Sequence, residues 1–387
     1  MSLTTDPGDG QPDATPAGTA QPIADGGTDV PRVAWRDRGF ARVATLAMRH
    51  PAVVPIGAVL LAVLIGAVIV LAAGLNPITA YAAVLEGALD PLNLDYTFSV
   101  WALICGMALA AAIPLRMGEF NMGGNGQLVL GGFAAAFVAG QLDLPTYLSV
   151  PVALVAAAVL AGAFGAISAP LSTKLGIPII ISTLLLSPVA VAVVSYMLRF
   201  QIGEAGSAVA QTPRFPDAAQ MWSLGTLSYS NWGLIIVIVL MAIFWVVDSR
   251  SAVGFELRVV GANRRFASYG GVRVGRLALG AMASSGAVAG IVGAIIVMSP
   301  PYRLVDGALL SPGYTFAGLA AALLAGGRPA FIPLTAALFT ILQVGGGGME
   351  RSADVPRQLS DVLQGVVIVV LALRTVIDSR RAGRSKS

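Results

Sequence analysis

Apolar residues in this chain come in long runs separated by short polar segments. The runs fall at about 52–73, 99–115, 119–140, 147–169, 177–197, 232–247, 277–298, 312–326, 329–344 and 361–377. A helix needs about 20 apolar residues to cross about 30 Å of hydrocarbon, so the pattern predicts an all-α, polytopic transmembrane bundle of about 10 spans. Several runs are shorter than that and can cross only when buried among the others. Residues 1–30 are rich in Pro, Gly, Thr, Asp and Ala with almost no large apolar side chains, and are expected to form a disordered cytoplasmic tail. Residues 31–50 are basic and amphipathic, with Trp35, Phe40 and Leu46, and should lie along the membrane surface. A transmembrane domain at 51–377 and a basic cytoplasmic tail at 378–387 complete the predicted organisation.

One polar interruption stands apart. Residues 254–276 read GFELRVVGANRRFASYGGVRVGR, with five arginines and one acid, and Arg250 just before them. Asn263 can cap a short helix by accepting a backbone N–H bond, and Gly270 and Gly271 can end it at a left-handed position. Val259, Ala262, Phe266 and Tyr269 follow helical spacing and predict one apolar stripe. An apolar stripe on a short helix between two spans is shaped to dock into a groove on another protein. The plainer alternative is a solvated basic loop beside lipid headgroups.

Composition agrees with a membrane protein: 56% of the 387 residues are hydrophobic and 11% charged. Charge adds an orientation. With the N-terminus inside, only Arg199, Arg214, Arg303, Arg351 and Arg357 fall in outward loops, and the other 19 of the 24 basic residues fall inward. The excess of inward arginines places 254–276 in the cytoplasm. Acids lean the other way, with Glu86, Asp90, Asp95, Glu204 and Asp306 among those outside. GFAAAFVAG at 132–140 and GLAAALLAG at 318–326 run in opposite senses in this topology, which predicts an inverted internal repeat of the kind that builds transporters.

Candidate chemistry is sparse. Lys174 and Lys386 are the only lysines and neither follows glycine, so no phosphate-binding loop ending Gly-Lys-Ser/Thr exists. Cys105 and His50 are single, which excludes a disulfide within the chain and a histidine-based metal site. No catalytic or metal-binding residues are expected. Acids are scarce in the apolar runs, which argues against ion coupling. EFNMGGNGQ at 119–127 is the best candidate for a polar path, because its amides Asn121, Asn125 and Gln127 can donate and accept toward sugar hydroxyls or base edges. Glycines between them allow bending and close helix approach, so helix packing without solute contact is the competing reading. Ser182, Thr183 and Ser187 are similar candidates. Gly286, Gly290 and Gly293 share one side of their span and predict close packing. The run Gly345–Gly348 predicts a flexible outer turn or a broken helix.

FNMGGNGQLVLGG at 120–132, RVVGANRRFASYGGVRVGRL at 258–277, SGAVAGIVGA at 285–294 and QTPRFP at 211–216 resemble the permease subunits of bacterial ABC importers, in the branch for branched-chain amino acids, ribose and nucleosides. The first motif is similar to the FNIG-x-EGQ motif of nucleoside and "simple sugar" permeases. Two positions depart from the family pattern: Asn125 stands where an acid is usual, and Leu184-Leu185-Leu186-Ser187 replaces a Met-Leu-Asn stretch. The even span count with the arginine bias puts both termini in the cytoplasm, and the resemblance implies a permease subunit of the bacterial inner membrane. It implies a second permease subunit in a heterodimer, cytoplasmic ATPase subunits that bind the ATP, an extracytoplasmic solute-binding lipoprotein, and lipid around the spans, with no nucleic acid. It assigns ATPase coupling to Gly261, Ala262, Asn263, Tyr269, Gly270 and Gly271, and Phe266 of the apolar stripe and Arg258 of the same loop complete the expected coupling set. It places Phe120, Asn121, Gly123, Gly126 and Gln127 beside the translocation path, and residue chemistry adds Asn125, Ser182, Thr183 and Ser187 to the expected path set. A secondary carrier or facilitator acting alone remains the alternative for a small polar solute.

Overall fold

The computed structural model describes residues 53–72, 74–225 and 229–353, with scattered positions between 358 and 369. The segments 1–30, 31–50 and 378–387, and most of the run at 361–377, lie outside the described residues. Helices follow one another as α1 (Val53–Ala72), α2 (Pro77–Leu89), α3 (Leu94–Leu115), α4 (Gly124–Gln141), α5 (Thr146–Ala166), α6 (Ser168–Leu175), α7 (Ile179–Phe200), α8 (Trp232–Arg250), α9 (Ala252–Ala262), α10 (Arg264–Tyr269), α11 (Val274–Val297), α12 (Tyr314–Leu324) and α13 (Ile332–Ala353). No strand occurs among the described residues, only isolated bridges pairing Gln211 with Val305 and Ser223 with Asn231.

Six helical segments are long and apolar enough to cross a membrane, and α1 with α2, bent by 118°, would make a seventh. The chain is therefore a multi-pass helical membrane protein. The first nine apolar runs each coincide with a helix, but two are short: α4 begins only at Gly124 and α12 has 11 residues. Eleven residues rise roughly 16 Å, about half the hydrocarbon thickness. The sequence pattern missed α2 altogether. Asn76 caps it by accepting from the Ile78 N–H at 2.9 Å, with Pro77 in its first turn. The run Gly345–Gly348 is not a turn but part of α13. Gly345 and Gly348 face α2: a Cβ on Gly345 would lie 2.2 Å from the Val84 carbonyl oxygen, and one on Gly348 2.6 Å from the Gly87 Cα. Contact between two backbones keeps this glycine stretch helical.

The centre of the bundle is α3 and α11, buried along most of their length. Lipid offers no hydrophobic drive between helices, so small residues that let backbones approach decide which helices pair. On α11 the glycines that share one side meet α4 and α5. A Cβ on Gly290 would lie 2.5 Å from the Ala157 oxygen, and one on Gly293 2.0 Å from the Leu128 oxygen. Gly131 of α4 approaches Gly290 just as closely. Gly280 on the same helix meets nothing within 4 Å.

Gly290→Ala is therefore expected to destabilise the detergent-purified protein by about 1–3 kcal/mol through overpacking. Gly280→Ala should leave thermal unfolding unchanged. Equal unfolding temperatures for the two variants would show that the approach at Gly290 is not the constraint it looks to be.

Candidate functional site

Two polar features meet at one end of the bundle. The first is the break between α3 and α4. Pro114 and Gly118, at φ +79°, end α3, and α4 starts at Gly124 with glycine at its N-cap. The first N–H groups of a helix have no partner in the helix itself, and in a membrane interior they need one. Side chains supply it. Asn121 Oδ1 accepts from the Gly123 N–H at 2.8 Å, Thr183 Oγ1 from Met122 at 3.1 Å, and Ser187 Oγ from Gly126 at 2.8 Å. Thus α7 caps the start of α4.

The amide cluster extends inward. Asn121 Nδ2 donates to Gln127 Oε1 and to Ser285 Oγ, both at 2.8 Å, and Ser285 donates to the Ala110 carbonyl at 2.6 Å. Asn121, Gln127 and Ser285 are all buried. One connected chain of hydrogen bonds thereby ties α3, the turn, α4 and α11. Ser182 and Thr183 also donate to the Ile179 carbonyl within α7. Asn125 and Phe120 are the half-buried members of the predicted path set. Ser285 escaped the sequence reading. Its one signal is a hydroxyl pair, Ser284-Ser285, inside a glycine-rich span, which packing alone would also explain.

The second feature is the segment after α8. Ser251 caps α9 by accepting from the Gly254 N–H at 3.1 Å, and Asn263 caps α10 by accepting from the Phe266 N–H at 3.0 Å. Asn263 itself is extended, with φ −159° and ψ 103°. The expected single stripe is therefore divided: Val259 and Ala262 end one helix, and Phe266 and Tyr269 lie on the next. Phe266 is 67% exposed and Tyr269 88%, while Ala267 between them is buried. Gly271 supplies the left-handed exit at φ +84°, whereas Gly270 has φ −75°.

These two features are bolted together. Asp248, at the end of α8, is buried and receives Arg116 from the end of α3 in a bidentate pair through one guanidinium edge, with Nε to Oδ1 at 2.8 Å and Nη2 to Oδ2. Arg258 of α9 donates to the Asp248 backbone carbonyl and lies 3.4 Å from its carboxylate. Arg264 of α10 pairs with Glu119 at 2.9 Å. Gly261 touches the same turn, where a Cβ would lie 2.4 Å from the Arg116 carbonyl oxygen. The structure gives Arg258 and Gly261, both predicted for coupling, contacts inside the chain. The sequence reading passed over Asp248. Its signal is an acid at the end of a span that the arginine pattern predicts to lie inward, where the other acids are expected to lean outward.

At the opposite end, the Gln211–Met221 region pairs with the chain after α11. Thr212 donates to the Leu304 carbonyl at 2.9 Å, Phe215 to that of Tyr302 at 2.9 Å, and the Arg214 guanidinium stacks 5.4 Å from the Tyr302 ring centroid. Among the described residues no three of His, Cys, Asp and Glu gather into a metal site.

A bundle of membrane helices with a buried polar turn, clamped to a short exposed helix, belongs to the class of membrane permeases. Comparison with known proteins makes the class specific. Residues 93–372 match the family described as the branched-chain amino acid transport system / permease component, and the chain belongs to that family. It is 29% identical over 326 residues to the guanosine ABC transporter permease protein NupP of Bacillus subtilis, covering 82% of this chain and 92% of that one. It is 31% identical over 343 residues to the glucose ABC transporter permease protein TsgB13 of Haloferax volcanii, covering 85% and 89%. It is 29% identical over 336 residues to the nucleoside ABC transporter permease protein NupB of Lactococcus lactis, covering 84% and 92%.

Removing one partner of a buried ion pair leaves the other charge uncompensated, at about 3–5 kcal/mol. Asp248→Ala, which strands Arg116, is expected to lose that much in thermal unfolding of the purified protein. Arg199→Gln, which breaks an exposed pair with Asp306, should cost under about 1 kcal/mol. Similar losses for both would mean that Asp248 is not the clamp.

Proposed function

We propose that the solute carried by this ABC-transporter permease subunit is a nucleoside or a related sugar-like molecule, moved by alternating access between two packed permease chains. The observation that carries the mechanism is the clamp of Arg116, Arg258 and Glu119–Arg264, which joins the exposed α9–α10 segment to the buried turn at the start of α4. A push on α10 from a bound ATPase would reach that turn through ion pairs and a backbone contact. The relatives named for guanosine, nucleoside and glucose transport support the solute class. Amide and hydroxyl groups at 120–127 and 182–187 are the right chemistry for it. Because Asn121, Gln127, Thr183 and Ser187 already bond within the protein, Asn125 and Phe120 would meet solute first, and the others when the turn opens. ATP is hydrolysed on the partner subunits. The second permease subunit, in a heterodimer, covers α7, whose Ile180, Ile181, Leu184, Leu185, Val189 and Val193 are exposed. A solute-binding lipoprotein delivers solute on the side of the 211–221 loop. The full domain has ten passes in two inverted halves in the bacterial inner membrane, with both termini cytoplasmic.

Uptake decides the solute. Deleting the gene is expected to abolish uptake of labelled guanosine while leaving leucine uptake intact. Asn125→Leu should lower uptake about 2- to 12-fold, the loss of one hydrogen bond, with unchanged thermal unfolding. Lost leucine uptake with unaffected guanosine would overturn the reading.

Docking is tested by co-elution with the co-expressed ATPase. Phe266→Asp both removes an apolar contact worth about 1.5–3 kcal/mol and places a carboxylate in the partner's groove. It is expected to release the ATPase, whereas Arg265→Gln, which leaves both the Glu119 pair and the aromatic face intact, should retain it. Retention by Phe266→Asp would remove α10 as the docking face. Capture of a cytoplasmic ATPase at α10 also fixes which side of the membrane this end occupies.

A further inference from the structure

A crevice of about 790 Å³ opens between α3, α8, α9 and α11, and the reading above makes no use of it. Its walls are apolar, built from Leu109, Ile113, Leu240, Phe244, Leu277 and Val288. Its mouth lies at the docking-segment end and is lined by Arg273, Arg276 and Glu256. Both arginines are exposed, and among the described residues neither has a carboxylate within ion-pairing distance. The mouth thus carries two guanidinium groups and one carboxylate.

The depth of the crevice says what fits. Val288 lies three turns beyond Arg276 on α11, roughly 18 Å at 1.5 Å per residue. One leaflet of hydrocarbon is about 15 Å deep, half of the ~30 Å core. The crevice therefore runs from a charged boundary to about mid-membrane. It is open sideways along α8, where Ile243 is 54% exposed. A docked soluble protein would not reach such depth, and a neighbouring helix would have no use for a pair of free guanidinium groups at its end. A lipid meets both demands, because basic pockets between spans at the membrane boundary select anionic headgroups.

We propose that this crevice binds an anionic phospholipid, with one acyl chain along α8 and α11 and its headgroup phosphate at Arg273 and Arg276. The lipid would touch both ends of the docking segment, Val253, Glu256 and Leu257 on α9 and Gly271 and Arg273 after α10. Its presence would steady the seat from which α10 is offered to a partner. The proposal rests on the chain spanning a membrane, and on neither the solute nor the ATPase.

The test uses the delipidated, detergent-purified full chain and two probes of identical acyl composition, phosphatidylglycerol and phosphatidylcholine, counted as retained lipids by native mass spectrometry. The wild type is expected to hold one phosphatidylglycerol under activation that strips phosphatidylcholine. Gly280→Leu puts a side chain into the crevice at a position where an added Cβ meets nothing within 4 Å. Ser284→Phe blocks the same space from an exposed position. Each should lose the retained lipid while unfolding at the wild-type temperature. Arg273→Gln with Arg276→Gln should weaken phosphatidylglycerol at least about tenfold. Arg250→Gln with Arg265→Gln, outside the crevice, should not. Retention by both blocked variants, equal retention of the two lipids, or a crevice that a second copy of the chain occupies instead would each overturn the proposal. Neither ATPase binding nor transport enters the readout, so failure here leaves the transport reading untouched.

Discussion

A carboxylate buried at the end of a membrane helix cannot stand alone, and much of this structure follows from how Asp248 is satisfied. Its oxygens take Arg116 from α3, and its backbone and carboxylate take Arg258 from α9. The charge that would be costly by itself becomes a joint between the last turn of one central helix and the first helix of the exposed α9–α10 segment. Glu119–Arg264 repeats the joint one helix further on, with more solvent around it. Because Gly261 rests directly on the Arg116 carbonyl, the two segments meet through backbone as well as charge. Movement of one without the other would expose Asp248 unpaired.

The same rule shapes the membrane interior. Breaking the α3–α4 connection leaves N–H groups without helical partners, and no water is present to take them. The residues that accept those N–H groups come from two places, Asn121 in the turn itself and Thr183 and Ser187 on α7, while Ser285 of α11 accepts from the Asn121 side chain and so holds it in position. Hydrogen bonding and close glycine contacts both act on α4 and α11, the first joining them to α3 and α7 and the second to α5. Polar groups fix the depth at which α4 starts, and glycines fix how closely it packs. Bonds among neutral amides and hydroxyls are also cheaper to break and remake than bonds between charges.

Much of this was legible in the sequence. Composition and the lengths of the apolar runs determined a multi-pass helical membrane protein, because the hydrocarbon thickness sets how many apolar residues a crossing needs. Asn263 as a helix cap, Gly271 as a left-handed exit and Gly286, Gly290 and Gly293 as a packing face were readable because each depends on a few neighbouring residues and one backbone preference. Only the tertiary structure decided the rest. The glycine run at 345–348 reads as a turn until α2 is laid against it. Val259 and Phe266 share a helical stripe on paper until an extended Asn263 separates them. Asp248 and Ser285 look ordinary until Arg116, 132 residues away, and Asn121, 164 residues away, arrive beside them. Period and propensity act along a few turns of chain, whereas the partner of a buried polar group is chosen by the fold, and the sequence holds no local record of which distant residue that will be.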